Sequence, residues 1–201
     1  MTSWHIAMAW IVIAAVTTGC VPSQEYPARE FFGVDPGRPE PAAASRDVVL
    51  RVSPVRVASP FATQKFTYRS DADAYQTDYY YGFVDSPDRL LTASLTEWLA
   101  SGGVCRAVID IGSEAQEDIR LETSVVELYG DYRDPKQPRA VLAVRFLLLQ
   151  RQRHATRVLS EHRSDIAIPL PDNTPATLAR GLGQAWRTAL TELSTELGRT
   201  P

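Results

Sequence analysis

Apolar and polar positions along the chain follow three regimes. Ile6–Val16 is an unbroken apolar run. The stretch 22–46 has no period and is dense in proline and small residues. From Val48 onward, alternation at two residues gives way twice to a helical spacing near 3.6, so strands and helices both belong to this part. The segment VVLRVSPVRV, 48–57, reads as a strand interrupted at Pro54, which cannot donate to a ladder. KFTYRS and DYYYGF, 65–70 and 78–83, read as two short strands around the polar loop DADAYQT. Within the proline-rich stretch, EFFGV is β-favouring, and Phe31–Val34 is expected to pair as an edge strand.

The first helix is marked by Ser86 as cap, Pro87 in the first turn and Asp88 against the helix dipole. Leu91, Leu95, Trp98 and Leu99 share its apolar face, and Gly102 or Gly103 ends it in the left-handed region. VCRAVIDI, 104–111, is a short strand. IRLETSVVELYGDY alternates through Ile119, Leu121, Thr123 and Val125, then slips in phase to Val126 and Leu128, which predicts a bulge near Val125. AVLAVRFLLLQ is apolar on both faces, as a central strand should be. With TRVLSEHRSDIAI, and with DPKQP and RQRH as turns, these segments form an antiparallel meander. A last helix starts at Thr174-Pro175 and carries Leu178, Leu182, Trp186, Leu190, Leu193 and Leu197 on one stripe. Gly181 and Gly183 lower its propensity and allow a neighbouring strand to approach closely. The fold class is therefore α+β, a mostly antiparallel sheet with two helices packed on one face.

The N-terminal run changes the picture of location. It suits a signal h-region and is short for a membrane-spanning helix. It leads through small residues to TTGC, which is similar to a lipoprotein signal: a branched apolar residue, a small residue, Gly or Ala, then Cys. Thr17 stands where the branched residue is usual, and no Lys or Arg precedes the run. The expected organisation is a signal peptide over 1–19, a lipidated Cys20 with a proline-rich tether over 20–46, and one α+β domain over 47–201. Val21, rather than Asp, follows Cys20. That favours the outer membrane, facing the periplasm, over retention at the inner membrane.

Composition removes several function classes. The 201 residues are 44% hydrophobic and 22% charged, with a net charge of −3. No basic stripe exists, which argues against nucleic acid as a partner and against strong attraction of the whole chain to an anionic surface. With Cys20 acylated, Cys105 has no thiol partner and reads as a small buried hydrophobe. No phosphate loop, nucleophile elbow or zinc-protease motif occurs, so no catalytic residue, metal site or cofactor is assigned. His154 in RQRHATR reads as a solvated turn residue, and His162 lies in a predicted strand without a ligand cluster. Asp71, Asp73 and Asp78 lack the glycine and terminal glutamate of a calcium loop. The carboxylates of SEAQED read as a turn. The most suggestive surface feature is Tyr79, Tyr80 and Tyr81 with Phe83. Alternation in a strand would set Tyr80 opposite Tyr79 and Tyr81, leaving tyrosines exposed as contacts for a partner.

The order EYPAREFFGVDP, VVLRVSPVRV, KFTYRS and SPDRLLTASLTEWLASGGV, followed by the long hairpin segments, resembles the ABC-type transport auxiliary lipoproteins. Where that family usually has a Trp-rich segment before the first helix, this chain has DYYYGFVDS. The resemblance implies a small α+β domain similar to the N-terminal domain of TolB. It implies a non-enzymatic accessory role beside an ABC permease and a substrate-binding protein of the mammalian-cell-entry (MCE) type, moving lipid or hydrophobic solute across the envelope. The contrasting reading is a structural or regulatory envelope lipoprotein that binds cell-wall polymer or a cell-wall enzyme. A hydrolase is a third class, for which no nucleophile–base pairing is visible. Unpaired edge strands leave room for a homo-oligomer.

Overall fold

The computed structural model describes residues 28–42, 45–152 and 155–199. Among these residues, nine strands and two α-helices follow in the order β1 (Glu30–Phe32), β2 (Arg46–Val52), β3 (Arg56–Val57), β4 (Lys65–Arg69), β5 (Tyr75–Phe83), α1 (Pro87–Gly102), β6 (Cys105–Ile109), β7 (Ile119–Asp131), β8 (Arg139–Arg151), β9 (Thr156–Pro169) and α2 (Pro175–Arg199). A single 3₁₀ turn, Ser59–Phe61, lies between β3 and β4. The fold is α+β, as the periodicity implies.

Strand β7 is the spine of the sheet. One of its edges pairs antiparallel with β8 from Ile119↔Gln150 to Asp131↔Arg139, and β8 pairs antiparallel with β9 over its whole length. The other edge is filled by three short parallel strands in succession. β2 takes Ile119–Leu121, β3 takes Ser124–Val125 and β4 takes Gly130–Asp131. Pro54 explains the break between the first two, since the ladder must pause where the donor is missing. β6 adds parallel to β2, β5 antiparallel to β4, and β1 parallel to β5. The meander is thus antiparallel as expected, while the short N-terminal strands join it in parallel. The predicted bulge is present as a register shift between Val125 and Glu127.

Beyond that shift the alternation resumes in the new phase, so Leu128 returns to the core side beside Val125, Thr123, Leu121 and Ile119. These face Leu142, Val144, Phe146 and Leu148 of β8, and the two helices cover them. Two reciprocal bonds tie the helices together: Trp98 Nε1 donates to Ser194 Oγ at 3.1 Å, and Trp186 Nε1 to Ser94 Oγ at 2.9 Å. Each buried indole thereby satisfies its donor on the opposite helix.

The helix ends differ from expectation in one detail. Gly103, at φ +66°, forms the left-handed cap of α1. The Ser86 hydroxyl makes no cap bond, and the first turn instead closes on the Ser86 carbonyl. In α2 the Thr174 hydroxyl accepts from the Thr177 amide. Gly181 allows close approach as expected, because a Cβ there would fall 2.5 Å from Leu170 Cδ2 and 2.8 Å from Ala140 Cβ on β8.

The proline-rich stretch 34–42 lies against the helices. Val34 is in the core. The Asp35 carbonyl sits where a Cβ on Gly183 would be, 2.6 Å away, and the Ala42 amide donates to the Gly102 carbonyl at 2.9 Å. The folded unit therefore reaches back at least to Glu30, and that much of 20–46 is not free chain. No helix among the described residues is long and apolar enough to cross a membrane.

Candidate functional site

Cys20 and His154 lie outside the described residues, so the site is built from what the domain presents. The tyrosine run is the first place to look, and its geometry is not the simple alternation expected. β4 and β5 are in register at Thr67↔Thr77 and again at Lys65↔Gly82. Four residues of β5, Asp78–Tyr81, are therefore set against Phe66 alone, which makes a wide bulge. Asp78 holds it together. Its carboxylate accepts from the amides of Tyr80 (2.8 Å) and Tyr81 (3.0 Å), and its other oxygen accepts from the Tyr68 hydroxyl at 2.7 Å. Gly82 closes the bulge, since a Cβ there would lie 2.3 Å from the Gln64 carbonyl oxygen. β5 also begins earlier than expected: Tyr75–Thr77, read as loop, pair with β4.

The bulge sorts the aromatic residues. Phe83 is 2% exposed and sits edge-on against Phe66, which in turn stacks on Phe32, so it belongs to the core and not to a surface. Tyr80 and Tyr81 are half-buried. Tyr79 is 62% exposed. Its ring lies under two cations, with the Arg29 guanidinium 4.9 Å and the Lys65 ammonium 5.4 Å from its centre. Phe31, on β1, is 53% exposed. Behind this surface Tyr68 stacks on Tyr132. Burial, reinforced by Asp78, raises the Tyr68 phenol far above its ordinary range, and burial with nearby Asp172 and Asp78 pushes Tyr132 up to about 12. Both phenols stay protonated, and Tyr68 keeps its donor on Asp78.

At the opposite end of β7, a feature missed in sequence reading gathers the 110–118 loop. The Arg51 guanidinium donates to the carbonyls of Asp110 (2.6 Å), Ser113 (3.2 Å) and Ala115 (2.6 Å) and to Glu117 Oε2 at 3.0 Å. Arg120 pairs with the other Glu117 oxygen. The Arg120 bond, helped by Arg51 and opposed by burial, holds the Glu117 carboxyl down to about 2. Glu117 was one carboxylate of SEAQED, read as a plain turn. The shallow polar cavities around Glu117, Arg120 and Arg151 are the surface of this clip.

A third cluster resembles catalytic chemistry in composition only. His162 Nε2 lies 3.1 Å from Ser164 Oγ and 3.3 Å from Glu192 Oε2, and Ser164 donates to the same Glu192 oxygen at 2.5 Å. In a nucleophile–base–acid relay the imidazole stands between serine and carboxylate, using its two nitrogens. Here one nitrogen faces both, and the serine gives its proton to the carboxylate directly. Ser164 is also 3% exposed. The arrangement ties β9 to α2.

Asp71 accepts from the Ala72 amide and Asp78 is spent on the bulge. Among the described residues no three His, Cys, Asp or Glu side chains gather at metal-binding spacing. Cys105 is buried, and burial pushes its thiol up, away from nucleophilic character. Between the helices a groove of about 500 Å³ is lined by Pro39, Ala42, Trp98, Thr191 and Ser194.

Comparison with known proteins places the domain. No curated protein sequence matches the chain. The crystal structure of protein XCC0632 from Xanthomonas campestris superposes with a TM-score of 0.73 at 21% identity, covering 82% of this chain and 92% of that one. An uncharacterised protein of known structure superposes with a TM-score of 0.66 at 15% identity, covering 85% and 99%. The hypothetical protein CT253 from Chlamydia trachomatis does so at 0.50 and 12% identity, covering 77% and 98%. These likenesses establish the fold. A family model described as ABC-type transport auxiliary lipoprotein component matches residues 34–194. That span runs from the strap beneath the helices into the last turns of α2, and the chain belongs to the family of ABC-type transport auxiliary lipoprotein components.

Proposed function

We propose that the protein is a non-enzymatic, lipid-anchored accessory component of an ABC/MCE-type envelope transporter for lipid or hydrophobic solute. The observation that carries the reading is the family match over residues 34–194. The N-terminal sequence supports it. Cys20 carries the acyl chains, and the chain between Cys20 and β1 joins membrane to domain. Residues 30–42 pack on the fold, so the tether is the short stretch 20–29 rather than the full 20–46. The domain works by contact: its polar clusters are internally paired, and the His162–Ser164–Glu192 group lacks relay geometry. Its partners are a permease and an MCE-type substrate-binding protein. Its location is the outer membrane, facing the periplasm.

Cys20→Ala tests the anchor. The variant should move from the membrane fraction to the soluble one and lose incorporation of labelled fatty acid. A variant that remains membrane-bound with unchanged labelling contradicts lipidation. The contrasting reading, a structural lipoprotein that engages cell-wall polymer or a cell-wall enzyme, predicts the same release but different companions in the membrane.

A further inference from the structure

The outer face of the β1–β5–β4 end carries more exposed apolar and cationic surface than the fold needs. Registers place its residues. Phe31 on β1 is opposite Gly82 on β5, and Gly82 is opposite Lys65 on β4. Partners in register point to the same side, so Phe31 and Lys65 share one side of the row with Gly82 between them, where the Gln64 carbonyl fills the place of a side chain. Arg29 precedes Phe31 by two residues, and both its guanidinium and the Lys65 ammonium lie against the ring of Tyr79. Phe32 and Phe83 point the other way, into the core. Glu30 is opposite Tyr81 and therefore also on the other side. The outer side presents two aromatic rings, each more than half exposed, and two cations. The net charge of −3 conceals this local balance.

The position of this face names its occupant. The described chain begins at Ala28, directly before Arg29. The nine steps from Cys20 to Arg29 span at most roughly 30 Å even when fully extended. A lipid on Cys20 therefore keeps the Arg29–Phe31–Lys65–Tyr79 face within reach of the bilayer, closer in chain length than any other part of the domain. Aromatic rings favour the headgroup region, where an apolar body and a polar tip are both satisfied, and Lys and Arg favour lipid phosphates. We propose that this face is a membrane-docking surface that rests on phospholipid headgroups, with Phe31 and Tyr79 in the interfacial layer and Arg29 and Lys65 on the phosphates. The proposal rests on the reading of Cys20 as the anchor and deepens it: docking fixes how the domain is oriented on the membrane that the lipid tethers it to.

The test uses the mature acylated protein, beginning at Cys20, reconstituted in phosphatidylethanolamine–phosphatidylglycerol vesicles with brominated acyl chains. The tryptophans of the described domain, Trp98 and Trp186, are buried and give a constant background. Phe31→Trp and Tyr79→Trp place a probe in the face. Val158→Trp, at an exposed site on β9 opposite Leu149 of β8, places one far from the face, on the opposite edge strand of the sheet and beside the Arg120 end of the spine. Flotation with the vesicles reports the anchor separately. The expected result is flotation of all variants, at least twofold quenching of the added emission at positions 31 and 79, and little at 158. Combining either probe with Arg29→Glu and Lys65→Glu should reduce that quenching severalfold. Flotation with equal, weak quenching at all three positions overturns the docking face and leaves the anchor standing. So does shielding that appears only when transporter proteins are co-reconstituted, which would make the face a protein contact. Failure to float overturns both. Circular dichroism of each variant confirms that the domain is folded.

Discussion

Apart from the Asp131–Arg133 ion pair at its C-terminal end, the two ends of β7 are held by opposite means. At Ile119–Leu121 the strand and its preceding loop are pinned by charge. Arg51 gives its donors to three carbonyls and Glu117, and Glu117 divides its oxygens between Arg51 and Arg120. At Gly130–Asp131 the neighbouring strands β4 and β5 are held by rings, with Phe66 between Phe32 and Phe83 and Tyr68 on Tyr132. The ionic end is internally satisfied: its charges meet one another and leave little for a partner. The aromatic end fills its core and still has Phe31 and Tyr79 outside. Surplus of this kind is what a contact surface requires, because exposed rings and their cations gain most when water is removed around them.

Breaking the core of the aromatic end should have the largest effect. Phe66 is fully buried, and Phe66→Ala should destabilise the domain by about 3–5 kcal/mol, visible as a lower urea midpoint. Arg51→Met should come next. It leaves Glu117 without one partner and three carbonyls without a donor, at a cost of about 3 kcal/mol. Arg56→Met, at the exposed pair with Glu122, should stay below about 1 kcal/mol. Equal losses at Arg51 and Arg56 would mean that the clip is ordinary surface charge.

Acid should sharpen the contrast. The folded-state carboxyl of Glu117 is depressed, so its contribution is fully present above the ordinary carboxylate range of about 4.3 and is lost as pH falls toward about 2. Asp131, at the other end, is also lowered, chiefly by its bond to Arg133. Glu117→Gln should therefore flatten part of the acid limb of stability against pH and leave the Asp131 part. Gly183→Ala should act more locally. Its methyl would meet the Asp35 carbonyl, and faster hydrogen exchange at the Ala42 amide would report release of the 34–42 strap. Smallest of all, Tyr79→Ser should change stability by about 0.5 kcal/mol or less, because its ring serves the surface more than the core. A large loss of stability there would move Tyr79 into the fold's supporting structure.

Much of this architecture was legible in local pattern. The apolar stripes of both helices, a glycine cap at Gly102 or Gly103 and the phase slip at Val125 are all local signals, and the structure has each of them, with the cap at Gly103. What escaped depends on distant partners. Arg51 and Glu117 are 66 residues apart, and neither carries a local sign of the other. The prolines of 34–42 suggested free chain. Yet a segment that needs few ladder bonds can also lie across a helix pair, provided the helix offers a glycine where the chain crosses, as Gly183 does for Asp35. The surface behaved similarly. The tyrosine run was conspicuous in the sequence, but which ring faces outward was decided by Asp78 drawing the Tyr80 and Tyr81 amides into a bulge. Alternation alone could not assign Phe83 to the core and Tyr79 to the surface.

The measurement that bears most directly on the account is affinity purification of the full-length tagged protein from membranes in mild detergent, with co-purifying proteins and phospholipids identified by mass spectrometry. The account predicts recovery of an ABC permease or an MCE-type substrate-binding protein together with phospholipid. Recovery of cell-wall enzymes with no transporter component would contradict it.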